Sequence, residues 1–287
     1  MAFGDRRDGR LLRHMDGMHF ITPIIYPNRC DNEAFISEII DLTNIDKYLA
    51  KKNKGNKGYK YNTFQVLLTA LLKLLYLRPK LNYFIQNSNI YERYEKSASF
   101  VVKKSFSDNG EEGLAFIESK MNDNIDSIHE KIEKTVLSQK QGESDASTDN
   151  MNILASMPRF LGKFLVHIIM FLDKKGICPH FLVESDPYYT SIVISNLGSI
   201  KLHSGYHHLT NWGTNSIFVV MGDIKKRTIV DKNGKKVVRN SLDLGLTIDE
   251  RIADGYYYSK SIKLLKYLLE HPSELEKVLC AEVEYDK

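Results

Sequence analysis

Little in this sequence is extreme, and what it lacks excludes several classes at once. Of its 287 residues only three are cysteines, Cys30, Cys178 and Cys280, scattered and without CxxC spacing. That excludes a disulfide scaffold, offers no metal site, and leads us to expect the reduced environment of the cytoplasm. An excess of one charge is lacking too: 40 Lys+Arg stand against 36 Asp+Glu, a net charge of +4. Such balance gives no electrostatic reason to expect a nucleic-acid or membrane partner, and we expect neither. The apolar stretches Phe64 to Leu77 and Phe160 to Leu172 are interrupted by Lys or His. Both fall short of the ~20 residues a membrane span needs. The charged start, Asp5-Arg6-Arg7-Asp8, leads into no apolar segment, so no secretory signal is expected. No phosphate-binding loop, GxGxxG, GxSxG or HExxH motif occurs.

What is present is the pattern of a mixed α/β chain. Residues up to about Asn32 are rich in Arg, Gly, His and Pro and read as an irregular N-terminal arm with at most a helical turn. Phe35 to Asp41 alternates like a strand, and Asp41-Leu42-Thr43-Asn44 offers a cap for a short helix through Leu49. Asn62 or Thr63 can cap a helix that is apolar nearly all round and must stop at Arg78-Pro79. Strand-like runs follow at Asn82 to Gln86 and Ser97 to Lys104, then a helix over Glu111 to Leu137 with Met121, Ile125, Ile128 and Ile132 in a stripe. The polar stretch Gln139 to Asn150 reads as a loop before a helix at Phe160 to Lys174. The last third is β-rich: Ser191 to Ile194, Ser216 to Gly222, a hairpin signal at Asn233-Gly234, and Leu242 to Ile248. An apolar helix, Tyr257 to Glu270, ends near Pro272. Without a regular βαβ alternation, the fold class is α+β, a layered domain.

Two short segments carry what chemistry can be read: Ile194-Ser195-Asn196-Leu197-Gly198, leaving a strand, and Asp249-Glu250-Arg251-Ile252-Ala253-Asp254-Gly255, joining a strand to the last helix. At these residues the sequence resembles the chloramphenicol acetyltransferase-like superfamily. It is most similar there to the catalytic domain of the dihydrolipoyl acyltransferases of 2-oxo acid dehydrogenase complexes. Those proteins carry Ser-Asn-Leu-Gly after a strand and, later, Asp-His-Arg-x-x-Asp-Gly before a long helix. The resemblance covers the chain from about residue 33 onward. It implies one catalytic domain over 33–287 behind an arm of residues 1–32, folded as a two-layer α/β sandwich with a mixed sheet. It also implies a homotrimer, or an assembly of trimers, with active sites in channels between subunits. Coenzyme A or acyl-CoA would be a substrate, a small molecule the acceptor, and no metal would take part. With no lipoyl-type domain or Ala/Pro-rich linker in these residues, no covalently bound lipoyl group is expected.

In that family the motif histidine is the base that deprotonates a thiol, and a Ser or Thr hydroxyl stabilises the tetrahedral oxyanion. Ser195 matches the hydroxyl, and Asp254 matches an aspartate that anchors the loop. The histidine position holds Glu250. A carboxylic acid titrates near ~4.3 and an imidazole near ~6.5, so an unperturbed glutamate is the poorer base toward a thiol. Glu250 is therefore either a catalytic carboxylate or a structural residue paired with an arginine. His207 and His208, in the connection after Ser195, are the alternative bases. Two functions remain: a CoA-dependent acyltransferase using Ser195 with Glu250 or a nearby histidine, or a pseudoenzyme that kept the fold as a trimeric binding or scaffolding protein.

Overall fold

A computed structural model of the chain describes residues 3–103, 112–140, 154–183, 186–230 and 233–285. Its architecture grows from the helix α3, Thr63–Leu77, in which every residue from Gln65 to Leu75 is buried. The Asn62 side chain accepts from the Gln65 N–H while the Gln65 side chain accepts from the Asn62 N–H, a capping box that fixes the start. Its leucines fill the centre of the main core, and fully burying each contributes about 1.5–3 kcal/mol. Helices α2 (Thr43–Lys52), α4 (Ile125–Lys140) and α6 (Gly255–Glu270) pack around α3 to form the helical layer.

The second layer is a six-stranded mixed sheet. In chain order its strands are β2 (Glu33–Asp41), β5 (Lys96–Lys103), β6 (Glu112–Ser119), β7 (Ile192–Asn196), β8 (Ile217–Val230) and β9 (Lys236–Asp249). They lie in the spatial order β2-β9-β8-β7-β5-β6. Among the described residues only β5–β7 and β7–β8 are parallel. A small sheet of β1 (Gly9–Leu11), β4 (Asn89–Arg93) and β3 (Tyr83–Gln86) stands beside it. Alternate residues of the large sheet, such as Ile192, Ile194, Val219 and Leu244, enter the main core. The opposite face carries a smaller cluster of Val193, Leu209, Phe218 and Val220. The first half of β8 is buried on both faces and its second half alternates half-buried with exposed, so the far end of the β8–β9 hairpin is solvated. The expected α+β sandwich with a mixed sheet is therefore the fold observed.

The helix expected over residues 111–137 begins only at Ile125. Glu112–Ser119 instead pairs antiparallel with β5, Ala115 opposite Phe100 and Ile117 opposite Ala98. Ala115 and Ile117 enter the core with Leu114 and Phe116 on the other side, a period of two that the helical stripe masked. Ile125, Ile128 and Ile132 are buried as the stripe requires, but Met121 is exposed in the preceding turn. Gln139 and Lys140 close α4, and the rest of the polar stretch, 141–150, lies outside the described residues. The arm is more ordered than its composition suggested. It contains β1 and a nine-residue helix, α1 (Gly17–Ile25), capped by the Asp16 carboxylate. Buried Arg6 and Arg29 fasten it down: Arg6 bonds Asp8 and Asp173, and Arg29 donates to the carbonyls of Thr210 and Ile85.

Two helices present apolar side chains outward. On α1 these include Phe20, Ile24 and Ile25; on α5 (Arg159–Lys174) they include Phe160, Phe164 and Phe171, and Asp173 is its only buried residue.

Candidate active site

Ser195 and Asn196 are the last two residues of β7, at the carboxyl end of the parallel trio β5-β7-β8, where open α/β sheets place their ligand crevices. The chain turns there through a 3-10 segment, Leu197–Ile200, and Lys201 ends it in the left-handed region at φ +60°. These residues line a groove of about 820 Å³, whose other walls come from the start of α3, from β5, from α4 and from β8. The Ser195 hydroxyl has no hydrogen-bond partner among the described residues, and Ser195 is one of the residues that line the groove. Beside it the Asn196 Oδ1 is buried without a partner, an acceptor of the kind that a bound ligand satisfies.

Glu250 opens a 3-10 turn, Glu250–Ile252, directly after β9. Its backbone N–H donates to the Asn32 carbonyl at 2.9 Å, and its side chain is exposed. Arg251, the neighbouring arginine, does not pair with it. The Arg251 guanidinium grips the fully buried Asp249 carboxylate instead, Nε to Oδ1 at 2.8 Å and Nη2 to Oδ2 at 2.6 Å, and its Nη1 reaches the Tyr26 carbonyl. Arg29 approaches the same carboxylate at 3.7 Å, and burial pulls its guanidinium below its ordinary pKa. The turn is thus held by an Arg–Asp–Arg cluster that leaves the Glu250 carboxylate unengaged among the described residues. Asp254 caps α6, accepting from the Tyr257 N–H at 2.8 Å, and that backbone donor holds its carboxyl below the usual range. Of the three tyrosines that open α6, Tyr256 is exposed, Tyr257 lies under the Arg78 guanidinium at 3.7 Å, and buried Tyr258 donates to the Asp249 carbonyl.

His207 and His208 sit in the 198–215 connection, which crosses the sheet face opposite the helices. The His207 ring stacks on Phe218, centroids 4.1 Å apart, and its Nδ1 lies 2.8 Å from the His208 carbonyl. The Leu209 N–H donates to the Glu33 carboxylate, tying the connection to β2. Close backbone contact presses it flat. A Cβ on Gly245 would come within 2.0 Å of the Gly205 carbonyl oxygen, and one on Gly222 within 2.4 Å of the Ser204 nitrogen. Gly245→Ala is therefore expected to lift the connection and cost about 1–3 kcal/mol, with chemical-shift changes at His207 and Phe218. Unchanged urea stability would refute that tight seat.

Register gives the spacing of these groups. Ser195 pairs with Val220 and Val220 with Gly245, while Glu250 lies five positions beyond Gly245. At about 3.3 Å per residue and about 4.8 Å per strand, Ser195 and Glu250 of one chain are roughly 20 Å apart. His207, over Phe218, is within about 10 Å of Ser195 and on the same sheet face by the period of two. A single chain thus brings His207 near Ser195 and leaves Glu250 and Asp254 at the other end of the strands. Absent from the sequence-level site were Phe64, Phe100, Met221 and Lys201, which meet only in the groove; nothing local in the sequence marks them. Among the described residues no group of three His, Cys, Asp or Glu could hold a metal ion, and no helix is long and apolar enough to cross a membrane.

Known proteins resemble this chain in one segment of sequence and in fold. Residues 182–276 match the family described as 2-oxoacid dehydrogenases acyltransferase (catalytic domain). No curated protein matches the sequence. Similar solved structures include a probable dihydrolipoamide acetyltransferase from Listeria monocytogenes, with 16% identity, a TM-score of 0.62 and coverage of 94% of this chain and 99% of that one. The dihydrolipoamide acetyltransferase of Azotobacter vinelandii gives 13% identity, a TM-score of 0.61 and coverage of 92% and 93%. A chloramphenicol acetyltransferase gives 13%, 0.52, and 92% and 98%. Over nearly its whole length, then, this chain has the chloramphenicol acetyltransferase-like fold, and its residues 182–276, which span both the Ser195 and the Glu250 segments, carry the match to the acyltransferase catalytic domain.

Proposed function

We propose that the protein is an acyltransferase that moves an acyl group between a thiol carrier, coenzyme A, and a small acceptor. The observation that carries this reading is the unengaged hydroxyl of Ser195, a residue lining a large groove at the carboxyl end of the parallel strands. A base takes the proton from the acceptor, the acceptor attacks the thioester carbonyl, and Ser195 donates to the oxyanion that forms. Collapse breaks the C–S bond, and the carrier thiolate leaves with the proton held by the base. The Azotobacter acetyltransferase was studied for the roles of a serine, a histidine and an asparagine in its mechanism, the chemistry we assign to this site.

The base is Glu250 or His207, with His208 beside it. Glu250 serves only across an interface, because in its own chain it is roughly 20 Å from Ser195. The outward apolar faces of α1 and α5 support such an assembly, a homotrimer, since exposed patches of this kind mark interaction surfaces. Thiol release from acyl-CoA with hydroxyl, amine and thiol acceptors tests the activity. Mixing Ser195→Ala with Glu250→Gln protein tests the assignment: a site shared between copies regains about a quarter of wild-type rate. Full activity of Glu250→Gln alone would move the base to His207.

The second reading, a pseudoenzyme acting as a trimeric binding or scaffolding protein, is favoured by one observation: the family's histidine position holds an exposed glutamate. Absence of turnover with every acceptor, and none gained on Glu250→His, would establish it.

A further inference from the structure

We propose that the groove beside Ser195 is built for a long apolar acyl chain, of about eight carbons or more, in preference to acetyl. This rests on the acyltransferase reading and specifies its donor. An acetyl group has three heavy atoms, whereas a groove of about 820 Å³ is in the range that holds whole drug-sized ligands. The composition of the wall agrees. Phe100, Val102, Ile132 and Met221 are buried and line it, and Phe64 meets Phe100 edge-on with centroids 4.9 Å apart. The charged wall residues, Lys103, Lys201 and Asp223, all keep solvent exposure. The groove is thus apolar in its depth and charged at its mouth, the distribution that suits an aliphatic tail on an anionic carrier.

Three features tie that depth to the reacting carbon. Ser195 and Asn196 both line the groove, from the two faces of the β7 end, so a carbonyl held at the Ser195 hydroxyl turns its chain past Asn196 into the groove. The buried, unpartnered Asn196 Oδ1 is an acceptor for a donor on the carrier or acceptor at that point. Lys201, locked in the left-handed region by its N–H bonds to the Gly198 and Leu197 carbonyls, presents an ammonium with no partner among the described residues to the anionic carrier. The bond broken is the thioester C–S bond as before; only the chain on the carbonyl differs.

The test is kcat/KM by thiol release with acetyl-, butyryl-, octanoyl- and dodecanoyl-CoA, for the wild type and for Ile200→Glu and Ile224→Glu. Both isoleucines line the groove and are already solvent-exposed, so the fold should tolerate the charge. Each buried methylene is worth up to about fourfold, and at least a tenfold rise from acetyl to octanoyl is expected. The two variants should lose that rise, their octanoyl-to-acetyl ratio of kcat/KM falling to about one. A flat series, or one highest at acetyl, would overturn the chain-length assignment and leave the acyltransferase reading standing. Turnover of no thioester at all would instead remove that reading, and calorimetry then decides the groove. Decanoyl-CoA binding at least tenfold tighter than acetyl-CoA, weakened by Ile200→Glu, supports an apolar-chain site. Equal binding, as when a second copy of the chain fills the groove, overturns it.

Discussion

Replacing Ser195 by alanine is expected to lower kcat about 10²- to 10³-fold, the usual loss on deleting one oxyanion donor. The size follows from where the hydroxyl stands. It has no hydrogen-bond partner among the described residues, so it is free to meet charge that develops on a substrate oxygen. For the same reason its removal should leave the urea midpoint almost unchanged, since no buried partner is orphaned. A role in holding the turn would show the opposite pattern, lost stability with rate preserved. KM should move little, because a donor that acts on the tetrahedral state adds nothing to ground-state binding. A rate within threefold of wild type would remove Ser195 from the mechanism.

The largest effect on stability is expected at Asp249. Asp249→Asn leaves Arg29 and Arg251, both buried, without the carboxylate that lies 3.7 Å and 2.6 Å from them. Breaking a buried ion cluster by removing one partner costs about 3–5 kcal/mol, because the remaining charges stay desolvated. The loss should spread: Arg251 also holds the Tyr26 carbonyl, and Arg29 holds Thr210 and Ile85, so arm, connection and small sheet loosen together. Urea unfolding measures the loss, and faster amide exchange along residues 26–32 and 205–212 should accompany it. The half-exposed pair Lys266–Glu38 is the control, and Lys266→Ala there is expected to cost less than about 1 kcal/mol. Equal effects at the two sites would mean the cluster does not organise the turn.

The sequence shows some of this plainly and some not at all. Helix α3 is legible because a helix apolar on every face has one solution, burial, and because Asn62 and Pro79 bound it. Strands β2, β7 and the buried half of β9 are legible from apolar alternation or runs. Strand β6 is not, since Glu112–Ser119 becomes a strand only by pairing with β5, and its local spacing merges with the stripe of α4. Strand β4 follows a tight turn at Asn87-Ser88, both at positive φ, which no Asn-Gly signal announced. In the site, Ser195 and Glu250 stand out by resemblance, but their separation along the strands is a matter of register, invisible to spacing. The competition for Arg251 is equally hidden: adjacency offers it to Glu250 as readily as to Asp249, and only burial decides.

The arm's attachment also sets an order of events during synthesis. Glu33 opens a strand whose partner is Asp249, Arg6 bonds Asp173, and Arg29 bonds Thr210. The arm therefore waits for partners 167 and 181 residues further along the chain, and at about 5–20 residues per second that delay is roughly 10 to 40 seconds. Throughout it the leucine-rich face of α3 lacks the α6 it packs against, and β2 has no neighbour on which to pair. A nascent chain of this design should engage holding chaperones until β9 and α6 emerge, and circular permutants that start after α5 should escape that dependence.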